Sequence, residues 1–304
     1  MSIFDPKTTI AACLAGHYGQ PLGEGLWGRT FRLDDQAVLK LARADGGIGD
    51  GRDLIEREAQ ALAGFTGYRD PQLALPLYLG HGPVPEMRQG ADDNFACWLR
   101  MGCIEGQVFS SDAHAALDNA GREVLARQLG AALAIFHRLS DRHRDQAPVG
   151  DDLVSLSRRD WIFGAIMDDL PEMERIRAKR LRERYRQLLL DCPQPVWAHG
   201  DVNPSNVIRL PGGGIGLVDF AENGWDLPAV DFAHWRTLGW LDETLLASYR
   251  DHGGLAVSDE SIHVVGAINA FIGLVLDRRL GDRQAVINAE AALNDCLMAA
   301  RLIE

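Results

Sequence analysis

The chain has 304 residues, 46% of them hydrophobic and 24% charged, and a formal net charge of −12. That length accommodates two compact units, each able to bury its own core, and the composition excludes a disordered or fibrous chain. The acidity argues against a general nucleic-acid binder, whose affinity rests on Lys and Arg; it suits a soluble enzyme and is compatible with a cationic substrate.

In chain order, residues 23–28 carry Gly23, Gly25 and Gly28 and predict a turn. The alternating run 29–33, the pair Asp34 and Asp35, and the apolar run 37–41 predict a hairpin. A glycine and aspartate loop is expected over 44–51. Leu54, Ile55, Ala59 and Leu62 recur at helical spacing, which predicts an amphipathic helix over 53–65. Strands are expected over 73–79 and 95–101. From about Gly102 the pattern turns helical. Residues 122–139 place Leu125, Leu129, Leu133 and Phe136 on one stripe, and further helices are expected over 160–169, 171–190, 242–251, 259–276 and 282–302. Pro171 suits a first helical turn. The basic face over 175–186 reads as solvated surface rather than an anion site. The most apolar stretch, 264–276, contains Asn269 and is too short to span a bilayer, so a buried helix and no membrane are expected. In this helical part only 207–210 and 215–220 read as strands. They flank Pro211-Gly212-Gly213-Gly214, a turn whose glycines accept positive φ.

Cys13, Cys97, Cys103, Cys192 and Cys296 form no CxxC pair, and an odd number cannot all be bridged within one chain. This is the usage of a reducing compartment. Residues 1–10 carry Asp5, Pro6 and Lys7 with no apolar h-region, so a cytoplasmic location is expected.

The chemistry-bearing residues gather at the two ends of the second hairpin. Upstream runs Val196-Trp197-Ala198-His199-Gly200-Asp201-Val202-Asn203-Pro204-Ser205-Asn206; downstream runs Val218-Asp219-Phe220. Phosphoryl transfer from ATP asks for positioning and charge neutralisation: a carboxylate at the acceptor hydroxyl, and hard oxygen ligands on Mg²⁺. Asp201 and Asn206 have the spacing at which a kinase catalytic loop presents a base and a metal-binding amide. Asp219, ending an apolar strand after a tight hairpin, is placed to return a second carboxylate to the same metal. The plain alternative is a β-hairpin whose Asp and Asn residues cap helices.

On these motifs the sequence resembles the aminoglycoside phosphotransferase, or phosphotransferase enzyme, family of the protein-kinase-like superfamily. That family's loop reads His-Gly-Asp-x-x-x-x-Asn, followed by an apolar strand ending in Asp beside an aromatic residue. The resemblance implies an α+β, protein-kinase-like two-lobed fold. A small antiparallel-sheet N-terminal lobe with one helix is expected over 1–102, and a larger, mainly helical C-terminal lobe over 103–304. It implies Asp201 as catalytic base, Asn206 and Asp219 as Mg²⁺ ligands, and His199 as a structural residue near the metal-binding Asp. Lys40, an ammonium interrupting the run 37–41, is expected to bind the α- and β-phosphates of ATP and to pair with an acid on the next helix. Glu58 is the expected partner and Glu56 its rival. Gly23, Gly25 and Gly28 stand where the family has its phosphate-covering loop, although the stretch also reads as a plain hairpin turn. Arg100, Met101, Gly102 and Cys103 stand at the hinge, where backbone groups meet the adenine edge. His137 resembles the family's Leu-His helix end and reads as a packed structural histidine.

The acceptor pocket is expected in the helical lobe, over 160–169 and after Asp219. Asp160, Glu222, Asp226 and Asp231, with Trp161, Trp225, Trp235 and Trp240, suit a cationic acceptor such as an aminoglycoside or amino alcohol. Taken singly, most of these residues read rather as structural carboxylates and core aromatics. Ala221 follows the Asp-Phe pair in place of glycine, so no protein-kinase type switch is inferred. The expected activity is transfer of the γ-phosphoryl of Mg·ATP to a hydroxyl of a small molecule. The alternative is a catalytically silent nucleotide-binding regulatory protein of the same fold. ATP versus GTP and the oligomeric state stay open.

Overall fold

The computed structural model describes residues 4–25, 27–44, 50–86, 94–140 and 146–302. Most of the loop expected over 44–51 lies outside the described residues, as does Leu26 in the glycine stretch. The chain divides into two units. The first comprises Met1–Arg69, Ala74–Glu105 and Val218–Ala221; the second comprises Asp70–Leu73, Gly106–Leu217 and Glu222–Glu304.

The first unit opens with α1 (Pro6–Leu14), capped by Asp5, which accepts the Thr8 N–H. The family resemblance implies a single helix here; α1 is a second one, and it buries only Ile10 and Cys13, too short a stripe to stand out. Then come β1 (Gly23–Gly25), β2 (Gly28–Arg32), β3 (Ala37–Arg43), α2 (Gly51–Gly64), β4 (Leu73–Ala74), β5 (Tyr78–Pro83) and β6 (Phe95–Gly102). The sheet has the order β1-β2-β3-β6-β5 with antiparallel pairing throughout. Its core joins Leu39 and Leu41 to Ile10, Cys13, Phe31, Phe95 and Trp98. At Gly28 a Cβ would lie 1.9 Å from the Leu41 carbonyl oxygen, so the bare backbone is what allows β2 to lie against β3 there. The strand expected over 73–79 is instead two, β4 and β5, because Pro76 has no N–H to offer a ladder between them.

The second unit holds β7 (Gln107–Val108), α3 (Ser111–Ala115), α4 (Asn119–Arg138), α5 (Asp151–Leu156), α6 (Arg158–Ile166) and α7 (Glu172–Leu190). It continues with β8 (Val196–Ala198), β9 (Val207–Arg209), β10 (Ile215–Leu217), β11 (Gly224–Asp226) and α8 (Ala233–Thr237). It ends with α9 (Glu243–Asp251), α10 (Asp259–Leu280) and α11 (Arg283–Ala299). β4, whose Leu73 belongs to this unit, joins the ladder β4-β10-β9-β7, and β11 pairs with β8. The expected hairpin is β9–β10, turned by Gly213 and Gly214 at φ 83° and 92°. The strands β7, β8 and β11 were not foreseen: at two or three residues they are too short for a periodic pattern.

The α4 stripe of Leu125, Leu129, Leu133 and Phe136 is buried as expected. Pro171 caps α7 from just outside rather than sitting in its first turn. The helix expected over 259–276 runs one turn further, to Leu280, and stops where Gly281 takes φ 72°. Its 22 residues are therefore long and apolar enough to cross a bilayer, contrary to the expectation from 264–276, yet 67% of its apolar window is buried within the protein. It packs against α7, α8 and α11, as a core helix does.

Candidate active site

In the first unit, Lys40 lies on β3 between the fully buried Leu39 and Leu41, so pleating sends its side chain to the opposite face of the strand. Its Nζ lies 2.8 Å from Glu58 Oε2 and 2.7 Å from Asp219 Oδ1. Glu58 has no exposed surface, and its other oxygen accepts the Phe220 N–H at 3.2 Å. Glu56, two residues earlier on α2, is exposed to solvent. Burial alone would lower the Lys40 pKa, but the charges of Asp219 and Glu58 outweigh it and hold the ammonium above its ordinary range. Burial pushes the Glu58 carboxyl up, against the pull of Lys40. Asp219 sits at φ 66°, left-handed backbone that non-glycine residues seldom adopt and that concentrates at ligand sites. Its side chain stays 43% exposed, which leaves carboxylate surface open to a cation.

In the second unit, the loop after β8 is fixed by groups outside it. Asp231 is fully buried; its Oδ2 accepts from the His199 N–H at 2.8 Å and from His137 Nε2 at 2.9 Å, and its Oδ1 from the Gly200 N–H at 2.8 Å. His137 Nδ1 meets the Tyr249 hydroxyl at 2.7 Å, so this histidine is packed and bonded at both nitrogens. Gly200 takes φ 88°, and a Cβ there would lie 2.2 Å from the Glu222 carbonyl oxygen. Its own carbonyl accepts from Arg159 Nη2. The Asp201 N–H donates to His199 Nδ1 at 3.2 Å, which places this buried imidazole against the backbone of Asp201.

The Asp201 carboxylate is surrounded by donors. Oδ2 accepts from Asn203 Nδ2 and Asn206 Nδ2, each at 2.9 Å, and Oδ1 lies 2.9 Å from His234 Nε2. Burial would raise its pKa, but hydrogen bonding and charge from His234, the Asn203 bond and the Arg159 charge hold it well below the usual carboxylate range. Asp201 is ionised at neutral pH. Asn206 Nδ2 also donates to the Asp201 carbonyl at 2.9 Å. Both its partners are acceptors, so the amide nitrogen faces Asp201 and the amide oxygen is turned away, free for a hard cation. His234 carries no sequence signal beyond its place three residues after Asp231, and Arg159 none beyond a pair of arginines at a helix start.

The structure thus brings Lys40, Glu58 and Asp219 together in the first unit, and Asp201 and Asn206 together in the second. Gly23 and Gly25 lie in β1 and Gly28 in β2, and Glu24 between them pairs with Arg29 at 2.6 Å and Arg43 at 3.1 Å. At the expected hinge two backbone donors are already engaged. The Gly102 N–H donates to the Leu77 carbonyl at 2.7 Å and the Cys103 N–H to the Gln36 carbonyl at 2.9 Å, so neither is a spare donor for an adenine edge. Met101 is buried, and the Arg100 guanidinium lies 4.6 Å from the centre of the Phe4 ring. Among the described residues, no group of three or more His, Cys, Asp or Glu side chains is set to hold a metal.

The acidic residues considered for an acceptor are engaged within the second unit. Asp160 is bonded by Arg182 at 2.8 Å and Arg186 at 2.9 Å, and Glu222 lies 3.1 Å from Arg159. Asp226 accepts from the Tyr185 hydroxyl at 2.5 Å, the Ser157 hydroxyl at 2.7 Å and the Leu227 N–H at 2.7 Å; burial pushes its pKa up to about 6. Trp225 and Trp235 are core, the latter donating from Nε1 to the Val202 carbonyl at 2.9 Å. Trp240 stacks on His114 at 4.0 Å, and exposed Trp161 carries the Arg158 guanidinium 4.0 Å from its ring centre.

No curated protein sequence shows significant similarity to the chain. Among solved structures, the GDP and kanamycin complex of APH(2")-IIia aligns with a TM-score of 0.65 at 16% identity, covering 95% of this chain and 97% of that one. The gentamicin–APH(2")-IIa complex aligns at 0.62 and 17%, covering 100% of each chain. A macrolide 2'-phosphotransferase type I aligns at 0.56 and 18%, covering 96% of this chain and 98% of that one. At such identities the likeness is one of fold, α+β and protein-kinase-like. The model of the phosphotransferase enzyme family (APH) matches residues 19–261, a span that takes in Lys40, Glu58, Asp201, Asn206 and Asp219. This chain belongs to the phosphotransferase enzyme family.

Proposed function

We propose that the protein transfers the γ-phosphoryl of Mg·ATP to a hydroxyl of a small molecule. The observation that carries this reading is the ionised Asp201 carboxylate, fixed by Asn203, Asn206 and His234. In this reading Asp201 orients the acceptor hydroxyl and takes its proton. The oxygen of Asn206, turned outward, and the open carboxylate of Asp219 are hard donors suited to Mg²⁺. The metal, when bound, would neutralise charge on the phosphates. Lys40, held by Glu58, would contact the α- and β-phosphates. The related structures hold GDP with kanamycin, streptomycin with ATP, or ADP, which supports a nucleotide donor and leaves the base unassigned. Because Asp160, Glu222, Asp226 and Asp231 are already engaged, recognition of amino groups on an acceptor would fall to other acidic residues. A cytoplasmic location accords with the five free cysteines.

The test is an ADP-release screen with Mg²⁺ and ATP against aminoglycosides, amino alcohols, sugars and homoserine. Acceptor-dependent release is expected, abolished in Asp201→Asn with Mg·ATP affinity kept within several-fold. Nucleotide binding with no acceptor turned over would favour the silent regulatory protein, and turnover retained in Asp201→Asn would remove that residue as base.

A further inference from the structure

We infer that His234 is a positioning residue for Asp201 that decides which carboxylate oxygen receives the acceptor hydroxyl, an inference resting on the phosphotransfer reading above. An ionised carboxylate offers about four lone-pair sites. Two donors, from Asn203 and Asn206, occupy Oδ2. His234 Nε2 approaches Oδ1 at 2.9 Å, which leaves Oδ1 as the oxygen with an open site. Nε2 is buried and has no well-aligned hydrogen-bond partner among the described residues, so its 2.9 Å approach to Oδ1 is bent. Such bent contacts are common before substrate binds and tighten in the complex.

The placement is built into α8. His234 is followed by Trp235, whose indole Nε1 donates to the carbonyl of Val202, the residue after Asp201. Two successive residues of the helix therefore grip two successive residues of the loop. Trp235 is core, and the His234 side chain, 25% exposed, brings its buried Nε2 to the Asp201 carboxylate. During transfer the acceptor O–H bond breaks and its proton passes to Asp201 Oδ1. The acceptor oxygen bonds to the γ-phosphorus, and ADP leaves with the electron pair of the broken P–O bond. With His234 absent, Oδ1 loses the imidazole beside it, and the carboxylate turns away from the attacking hydroxyl more of the time.

His234→Ala is expected to lower kcat by about 10–100-fold, the scale of a misplaced catalytic group, with KM for ATP unchanged. His234→Gln, whose amide nitrogen reaches close to the position of Nε2, is expected to recover most of that loss. An unchanged kcat in His234→Ala, a parallel rise in KM for ATP, or a glutamine variant no better than alanine would overturn the role. A second readout needs no turnover: side-chain ¹⁵N NMR of the intact protein should show His234 protonated at Nε2, with that resonance moved by Asp201→Asn. A resonance indifferent to Asp201→Asn overturns the positioning role whether or not the protein is a kinase. A coupled resonance with no acceptor turned over overturns the phosphotransfer reading instead.

Discussion

Asp231→Asn alters hydrogen-bonding capacity and charge with almost no change in volume, and it is expected to destabilise the fold by about 3–5 kcal/mol. The carboxylate is fully buried and accepts from three donors: His137 Nε2, the His199 N–H and the Gly200 N–H. Asparagine replaces one acceptor oxygen by a donor. If the NH₂ group takes the place of Oδ2, it opposes two donors; if it takes the place of Oδ1, it opposes the Gly200 N–H alone. The second arrangement is the better one, yet it still strands a buried amide and the new NH₂, at about 1–3 kcal/mol each. The two surviving bonds also lose their charge assistance. No cavity term enters. Urea unfolding followed by tryptophan fluorescence should show a lower midpoint with unchanged slope, and the Gly200 amide should exchange faster. A loss below about 1 kcal/mol with Gly200 still protected would refute the assignment of Asp231 as the anchor of the loop. Burial works to raise the Asp231 pKa, but the bond and charge of His137 prevail and hold it below its ordinary value. Its contribution is therefore present above the unfolded carboxylate pKa and lost as pH falls through the lower folded value. The gap between wild type and variant should close only at acid pH.

Asp226 titrates with the opposite sign. Its folded pKa of about 6 exceeds the ordinary 3.8, so stability is full below the ordinary value and falls as pH rises towards 6. The loss amounts to at most about 3 kcal/mol. Asp226→Asn should flatten the dependence of Tm on pH in that window, and an unchanged slope would contradict the burial argument. Gly130→Ala puts a methyl 2.3 Å from the Leu245 carbonyl oxygen between α4 and α9, where backbone cannot yield. It should cost about 1–3 kcal/mol in thermal or urea unfolding despite the better helix propensity of alanine; a gain in stability would mean the helices do not approach so closely.

What the sequence by itself determined was local. The 29–41 and 207–220 hairpins, the α4 stripe and the Asp201–Asn206 spacing are written in periodicity, turn residues and short intervals, which neighbouring side chains impose on one another without help from afar. The tertiary structure decided everything that depends on a partner distant in sequence. Glu56 and Glu58 are equally acidic, but two residues along a helix turn a side chain through about 200°, so only one can reach Lys40. Nothing near residue 219 in the sequence announces Lys40, and nothing near Asp201 announces His234 or Arg159. The short strands β7, β8 and β11 exist because other strands lend them hydrogen bonds, not because two or three residues favour extension. The composition of α10 would serve a bilayer or a protein core alike; its packing against α7, α8 and α11 is what buries it. Spacing along a chain reports the chemistry a segment is able to offer, whereas burial and charge pairing arise only once distant segments meet.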